Sequence, residues 1–334
     1  MVVIFLFAAL LGAAYLYRRS SIPRVSDSTQ VELVASLELD GRASAGPAWS
    51  PDGSMLAVST ESGQIVVVDA DGKPVHTLSH GVVATSLAWS PEASHLATAS
   101  WGEMKVWRAS DGSQVTRMVS GDVYEVKGWT QEDEVVTWNG EESFVSWNRD
   151  TGQAVDRKFI SIGQQQLVPS PDGRLATWQS GAGGIYTVFS VEGDERSEWP
   201  LEGHEGPVQL VAWSPDSVEL AGATDSGLVV WDATTGVLDR TLWNPPAAAT
   251  GLEWNSDGRM LLVLTRDGTA TVIDAEDGTE IGASGADATK HAVWHKDGSR
   301  FAVVARRDDG QAGQGGGVDQ PDRLLILRAT RTAE

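Results

Sequence analysis

The sequence predicts an all-β fold, a seven-bladed β-propeller of four-stranded antiparallel blades, over residues 31–330. Three observations predict it. First, a tryptophan returns at Trp49, Trp89, Trp129, Trp213, Trp254 and Trp294, each time closing a short apolar run and opening a turn. A seventh copy, Val168-Pro169-Ser170-Pro171-Asp172-Gly173, keeps the turn without the indole, and the steps between copies are 40, 40, 39, 45, 41 and 40 residues. Second, each unit holds several short strands, and self-similarity at this period with such units is the signature of a propeller. Third, the chain ends fit one another. The last unit stops after its third strand at Leu327-Arg328, and a spare strand, residues 31–39, precedes the first Trp. If that strand completes the last blade, the ring closes and no blade keeps an open edge.

The second unit serves as the template. Residues 85–89 alternate small and apolar side chains into Trp89, and Pro91 presets φ in the turn that follows. A second strand spans 95–99, Gly102 breaks it, a third runs over 104–107, and Ser110-Asp111-Gly112 turns into a fourth at 114–119. The third strand recurs as 65–69, 144–147, 186–189, 228–232, 271–274 and 324–327. Most copies are followed by a Gly turn such as Asp71-Gly72, Thr235-Gly236 or Asp277-Gly278, where the hairpin needs positive φ.

Ahead of the repeats, Val2–Tyr17 is sixteen residues without a charge, followed at once by Arg18 and Arg19. As a helix it reaches about 24 Å, a little short of a ~30 Å hydrocarbon core, with Met1 and snorkelling arginines to extend it. The charges follow the apolar run, whereas a cleaved signal peptide carries them in front. Residues 1–19 are therefore read as an uncleaved single-pass anchor and residues 20–30 as a polar tether. Gly12-Ala13-Ala14 leaves a cleavage site open as the alternative. Positive flanks stay inside, which puts the propeller on the cytoplasmic side; the periplasmic or extracellular side is the alternative.

Composition excludes several functions. There is no Cys, so disulfides, thiolate metal sites and thiol catalysis are out. The net charge is −21; the first 24 residues hold three arginines and no acid, so the remainder carries 22 basic against 46 acidic side chains, −24. Such a surface repels phosphate backbones, and no nucleic-acid partner is expected. The acids are spread over many turns, so charge alone does not define a patch.

At Gly203-His204-Glu205-Gly206-Pro207-Val208, Leu210–Asp216 and the closing Trp231-Asp232, the chain resembles the WD-repeat family of β-propellers. The other units keep part of the pattern: Trp107-Arg108 and Trp147-Asn148 the Trp, Val68-Asp69 and Ile273-Asp274 the Asp. The Ser-Pro-Asp-Gly turn is shared with the Tol-associated periplasmic propellers. The WD-repeat resemblance implies a structural, hydrogen-bonding role for His204, Trp231 and Asp232. It also implies that partners dock on the rim formed by the second-to-third and fourth-to-first loops.

Three features point to that rim. Trp101, Trp138 and Trp178 lie at or near the ends of second strands in neighbouring blades, and such aromatics anchor interfaces or pack between blades. Trp138 and Trp178 differ by one position in strand register, which turns them toward opposite faces. The last blade carries the one long insertion, residues 306–322, opening with Arg306 and Arg307; its Gly content favours disorder in the free chain. The six histidines show no ligand spacing, and the Asp-rich turns at 69–72 and 274–278 lack the remaining calcium ligands, so neither metal nor cofactor is expected. No catalytic constellation stands out. The expectation is a non-enzymatic, membrane-tethered scaffold for a protein or peptide, with an exported cell-envelope propeller as the alternative.

Overall fold

The computed structural model describes residues 31–139, 143–159, 168–172, 174–180, 185–190, 197–245, 247–284, 291–306 and 321–331. The expected anchor and tether, Arg307 and most of the 306–322 insertion lie outside the described residues. Among the described residues there is no helix, hence none long and apolar enough to cross a membrane.

Among the described residues, seven four-stranded antiparallel sheets follow one another along the chain. The first holds β2 (Ala43–Trp49), β3 (Met55–Thr60), β4 (Gln64–Asp69) and β5 (Pro74–Ser79). The second holds β6 (Ser86–Trp89), β7 (His95–Ser100), β8 (Glu103–Arg108) and β9 (Gln114–Val119), and the third β10 (Glu125–Trp129), β11 (Glu134–Trp138), β12 (Ser143–Asn148) and β13 (Ala154–Phe159). The fourth holds β14 (Val168–Pro169), β15 (Leu175–Ser180), β16 (Ile185–Ser190) and β17 (Glu198–Pro200). The fifth contains β18 (Val208–Trp213), β19 (Glu219–Thr224), β20 (Gly227–Asp232) and β21 (Leu238–Thr241), and the sixth β22 (Ala249–Trp254), β23 (Met260–Thr265), β24 (Ala270–Asp274) and β25 (Glu280–Ala283). The seventh combines β26 (His291–Trp294), β27 (Arg300–Ala305) and β28 (Arg323–Ala329) with β1 (Val31–Glu38), in the order β1-β28-β27-β26.

The apolar core lies in layers between consecutive sheets. Ala97, Met104 and Val106 of the second sheet meet Val126, Val135 and Val145 of the third, all at most 4% exposed. Leu56, Val58 and Val68 of the first sheet meet Ala302, Val304 and Ile326 of the seventh. Burying each such aliphatic side chain contributes about 1.5–3 kcal/mol, so strands buried on both faces read as continuous apolar runs.

A register shift recurs where the third strand leaves the fourth, at Val67/Val68, Val106/Trp107, Val230/Trp231 and Val272/Ile273. The turn beside it needs glycine for two reasons. Gly278 has φ +76, and a Cβ there would lie 2.4 Å from the Leu242 carbonyl oxygen of the preceding sheet. Gly236 has φ +73 and stands equally close to Pro200.

Two rims result. The lower one carries the turns after the anchor tryptophans and those between third and fourth strands. The upper one carries the second-to-third and fourth-to-first connections. Val31 pairs with Ala329, whose N–H donates to Ser299 in the turn after Trp294, so β1 starts from the lower rim.

Candidate functional site

The anchor tryptophans link neighbouring sheets. Each indole N–H donates to the backbone carbonyl one residue before the anchor position of the preceding sheet: Trp89 to Ala48 (2.9 Å), Trp129 to Ala88 (3.0 Å), Trp213 to Val168 (3.0 Å), Trp254 to Ala212 (3.0 Å) and Trp294 to Glu253 (3.2 Å). Two junctions differ. Pro169 occupies the anchor position of the fourth sheet and has no indole to offer. Trp49 Nε1 is buried without a partner among the described residues. At that junction His295, 4% exposed, stacks edge-on against Trp49 at 4.6 Å and donates from Nε2 to the Gly53 carbonyl.

The residue before the anchor is Ala48, Ala88, Gly128, Val168, Ala212 and Val293 in six sheets, and Glu253 in the sixth sheet. Its carboxylate accepts the Trp294 backbone N–H at 3.2 Å, and burial pushes its pKa up to about 7. Aligning the repeats against one another would have singled it out; its solitary polarity is the signal.

Two histidines, His80 and His204, are hydrogen-bonded beside a third-strand tryptophan, in different ways. In the second sheet His80, 1% exposed, meets Thr98 Oγ1 at 2.9 Å, and the Trp107 indole donates to the same oxygen at 2.9 Å. Burial lowers the His80 pKa to about 4, with Lys105 adding to the effect, so this imidazole is neutral. His204 instead bonds the Gly206 carbonyl at 2.9 Å and sets its ring edge-on against Trp231. Trp231 is fully buried and donates to Glu202 O, while Asp232 caps its turn through Thr234 and Thr235. His80 precedes its glycine rather than following it, which hid it from a Gly-His search.

On the upper rim Trp101 is 81% exposed, far more than any other large apolar side chain described. It occupies the β7–β8 turn, and its ring meets Tyr124, 45% exposed, edge-on at 5.8 Å. The turn is stitched to the β9–β10 connection: Gly102 N–H donates to Val123 O, Ser120 N–H to Gly102 O, and Tyr124 N–H to Trp138 O. Trp138 is half-buried, its ring against Phe144 at 4.9 Å. Tyr124, which the sequence reading missed, thus meets the Trp101 ring with its side chain and the Trp138 carbonyl with its backbone N–H, while the Trp138 ring itself packs on Phe144. Trp178 pairs with Thr187 in the β15–β16 ladder, and its side chain lies outside the description. Arg306 follows the end of β27 on this rim; Arg307 lies outside the described residues.

Most lower-rim acids serve the turns. Asp52 accepts Ser50 Oγ and Ser54 N, Asp111 accepts Ser113, and Asp216 accepts Ser214 Oγ and Val218 N. Hydrogen bonds from Ser113 hold the Asp111 carboxyl below its ordinary value, and Ser170 does the same for Asp172. Among the described residues no three metal-ligating side chains come together.

Successive four-stranded antiparallel sheets, bolted through a repeated aromatic, define a β-propeller-type repeat protein. More narrowly, the chain belongs to the TolB beta propeller domain family, whose profile matches residues 22–217. The WD40 domain of anaphase-promoting complex subunit 4 matches residues 230–295. Among curated proteins, human WD repeat-containing protein 35 is 28% identical over 102 residues, covering 29% of this chain and 9% of that protein. WD repeat-containing protein AAC3 of Dictyostelium discoideum is 29% identical over 76 residues, 22% of this chain and 16% of that protein. Eukaryotic translation initiation factor 3 subunit I of Neosartorya fischeri is 34% identical over 88 residues, 25% of this chain and 26% of that protein. The chain therefore spans a minor part of each of these relatives.

Proposed function

We propose that this chain is a membrane-tethered, non-enzymatic scaffold whose propeller, a closed ring of seven blades, holds a protein or peptide on its upper rim. The observation that carries the reading is Trp101, an exposed indole on a turn whose Gly102 is held by two backbone hydrogen bonds to the neighbouring connection. Rigid exposed aromatics give large contact area at little entropic cost. The WD-repeat relatives support a protein partner, and the −24 charge of residues 25–334 argues against nucleic acid.

The anchor rests on Val2–Tyr17 and the cytoplasmic side on Arg18, Arg19 and Arg24. Residues 20–30 span at most about 40 Å when extended. They join β1 at the lower rim, so in the proposed topology the tether leaves from the rim opposite Trp101. Two experiments test the reading. Proximity labelling from the full chain enriches specific proteins, and enrichment drops in a variant with Trp101→Ala, Trp178→Ala and residues 309–319 deleted; an unchanged set with the fold intact refutes the scaffold. A Cys introduced at Gln314 reacts with an impermeant maleimide only after lysis if the propeller is cytoplasmic. Reaction in intact cells supports the second reading, an exported cell-envelope propeller that binds or senses an envelope ligand, which the family match over residues 22–217 favours.

A further inference from the structure

On a protein of net charge −21 the default partner is basic. The surroundings of Trp101 argue for another. Glu103, on the strand that follows Trp101, is held bidentately by Arg117 at 2.9 and 3.1 Å and lies 3.4 Å from Lys105. Asp122, in the loop that carries Tyr124, is clamped by Arg157 at 2.7 Å, and Glu125 pairs with Lys127 at 2.7 Å. Each carboxylate on these two connections thus has its own cation. On the same connections apolar side chains are exposed: Trp101 in contact with Tyr124, Val119 at 67% exposure at the end of β9, and Val82 and Val83 at 49% and 41% on the β5–β6 connection. The stitching of Gly102 to Ser120 and Val123 holds the platform open before any partner arrives.

We propose that this corner of the upper rim is a docking platform for an extended, uncharged peptide segment that lays a proline or aliphatic side chain into the angle between the Trp101 and Tyr124 rings. The two rings stand 70° apart, an L-shaped trough of the kind that suits a proline ring or a branched aliphatic side chain. The charge argument selects the occupant. Ion pairs already closed on the protein gain little from an incoming lysine, whereas two adjacent aromatic faces and three exposed valines gain from covering apolar surface. The inference rests on the scaffold reading and narrows it to one partner chemistry.

The test uses the full-length protein and two sets of synthetic decapeptides, one uncharged and rich in Pro, Leu and Val, the other matched in length and rich in Lys. Binding is followed by fluorine NMR of 5-fluorotryptophan protein, with the Trp101 resonance assigned from Trp101→Phe. The expected result is that uncharged peptides shift the Trp101 signal, with less than a twofold change in affinity between 50 and 500 mM NaCl. Trp101→Ala and Tyr124→Ala each weaken binding at least tenfold, while Trp101→Phe retains most of it. Trp101 is exposed, so its variants keep the fold, which far-UV circular dichroism verifies. Preference for the Lys-rich set with steep salt dependence, no shift with any uncharged peptide, or binding indifferent to Trp101→Ala overturns the proposal. If proximity labelling still collapses in the rim variant while the uncharged peptides fail, the scaffold stands and this occupant falls.

Discussion

Replacing Glu253 by Gln tests the least expected side chain at a sheet junction, where it is partly buried. The carboxyl is held between the sixth and seventh sheets with one hydrogen bond, from Trp294 N–H, and burial raises its pKa from 4.5 to about 7. The strands packed against β22 bring two titratable groups near this junction: Glu219, already bound to Arg240, and His291. With no cation beside it, the ionised form is disfavoured. The proton is bound more tightly in the folded state, so the sign is the reverse of that for a salt-bridged acid. Below about pH 4.5 both states are protonated and Glu253 costs nothing. The cost grows as pH rises toward 7 and saturates above it, at roughly 3 kcal/mol given 1.36 kcal/mol per pKa unit. Glutamine keeps an acceptor for Trp294 N–H and cannot ionise. Glu253→Gln should therefore match the wild type at pH 4.5 and exceed it at pH 8 by up to about 3 kcal/mol, roughly 5 °C in Tm. Thermal melts by circular dichroism at both pH values decide it. An equal difference at the two pH values, or a less stable variant at pH 8, refutes the buried-charge argument.

The turn-capping aspartates predict the opposite limb. Asp52, Asp111, Asp172, Asp232, Asp267, Asp277 and Asp297 have carboxyls below their ordinary range, so their stabilisation is complete above about pH 4 and lost as pH falls through the folded values. Neutral, buried His80, with its pKa lowered from 6.5 to about 4, gains stability as pH rises from about 4 to 6.5 and so offsets the Glu253 limb in the wild type. The aspartate limb is therefore read below about pH 4, where Tm should fall steeply; a Tm unchanged between about pH 4 and pH 2 contradicts it. Trp254→Phe removes a bond to Ala212 O, whereas Trp49→Phe removes none, so chemical denaturation should find the first costlier by roughly 1–2 kcal/mol. Equal losses would show that the indole bonds contribute nothing beyond ring burial. Gly278→Ala puts a Cβ against Leu242 O at positive φ and should cost more than about 1 kcal/mol, while Gly121→Ala meets nothing within 4 Å and should be near neutral.

The repeat was legible because the anchor position, the Asp-Gly turns and the spare strand at 31–39 are all local signals. The strands predicted from residues 95–99 and 104–107 fall within β7 and β8, and the Gly-turn positions at 72, 236 and 278 carry the positive φ that the hairpins required. The pairing of β1 with β28 was legible by counting, since a strand too many at one end matched a strand too few at the other. The candidate site was less legible. Trp101 could be placed on the upper rim by its turn, but Tyr124 sits in an irregular loop, and its proximity depends on backbone bonds between connections about twenty residues apart in sequence. The self-pairing of Glu103 with Arg117 and of Asp122 with Arg157 reaches across strands, so a charge count reads these groups as free when they are not. His204 matched a motif, yet the buried imidazole network belongs to His80, because hydrogen bonding depends on where the ring arrives and not on the order of two letters.

The indole bolts have a mechanical corollary. They run without interruption from the first sheet to the third and from the fourth to the seventh, and they skip the joints where Pro169 and Trp49 stand. The bolted sheets thus fall into two runs, an arc of three and an arc of four, among the described residues. At one joint β1 laces the first arc into the sheet of the second; at the other, among the described residues, no indole bond crosses. A cut between residues 159 and 168 would therefore leave two halves that still carry their own fastening, a strand of one seated in the other. Division of the chain at that joint breaks none of the indole bonds described.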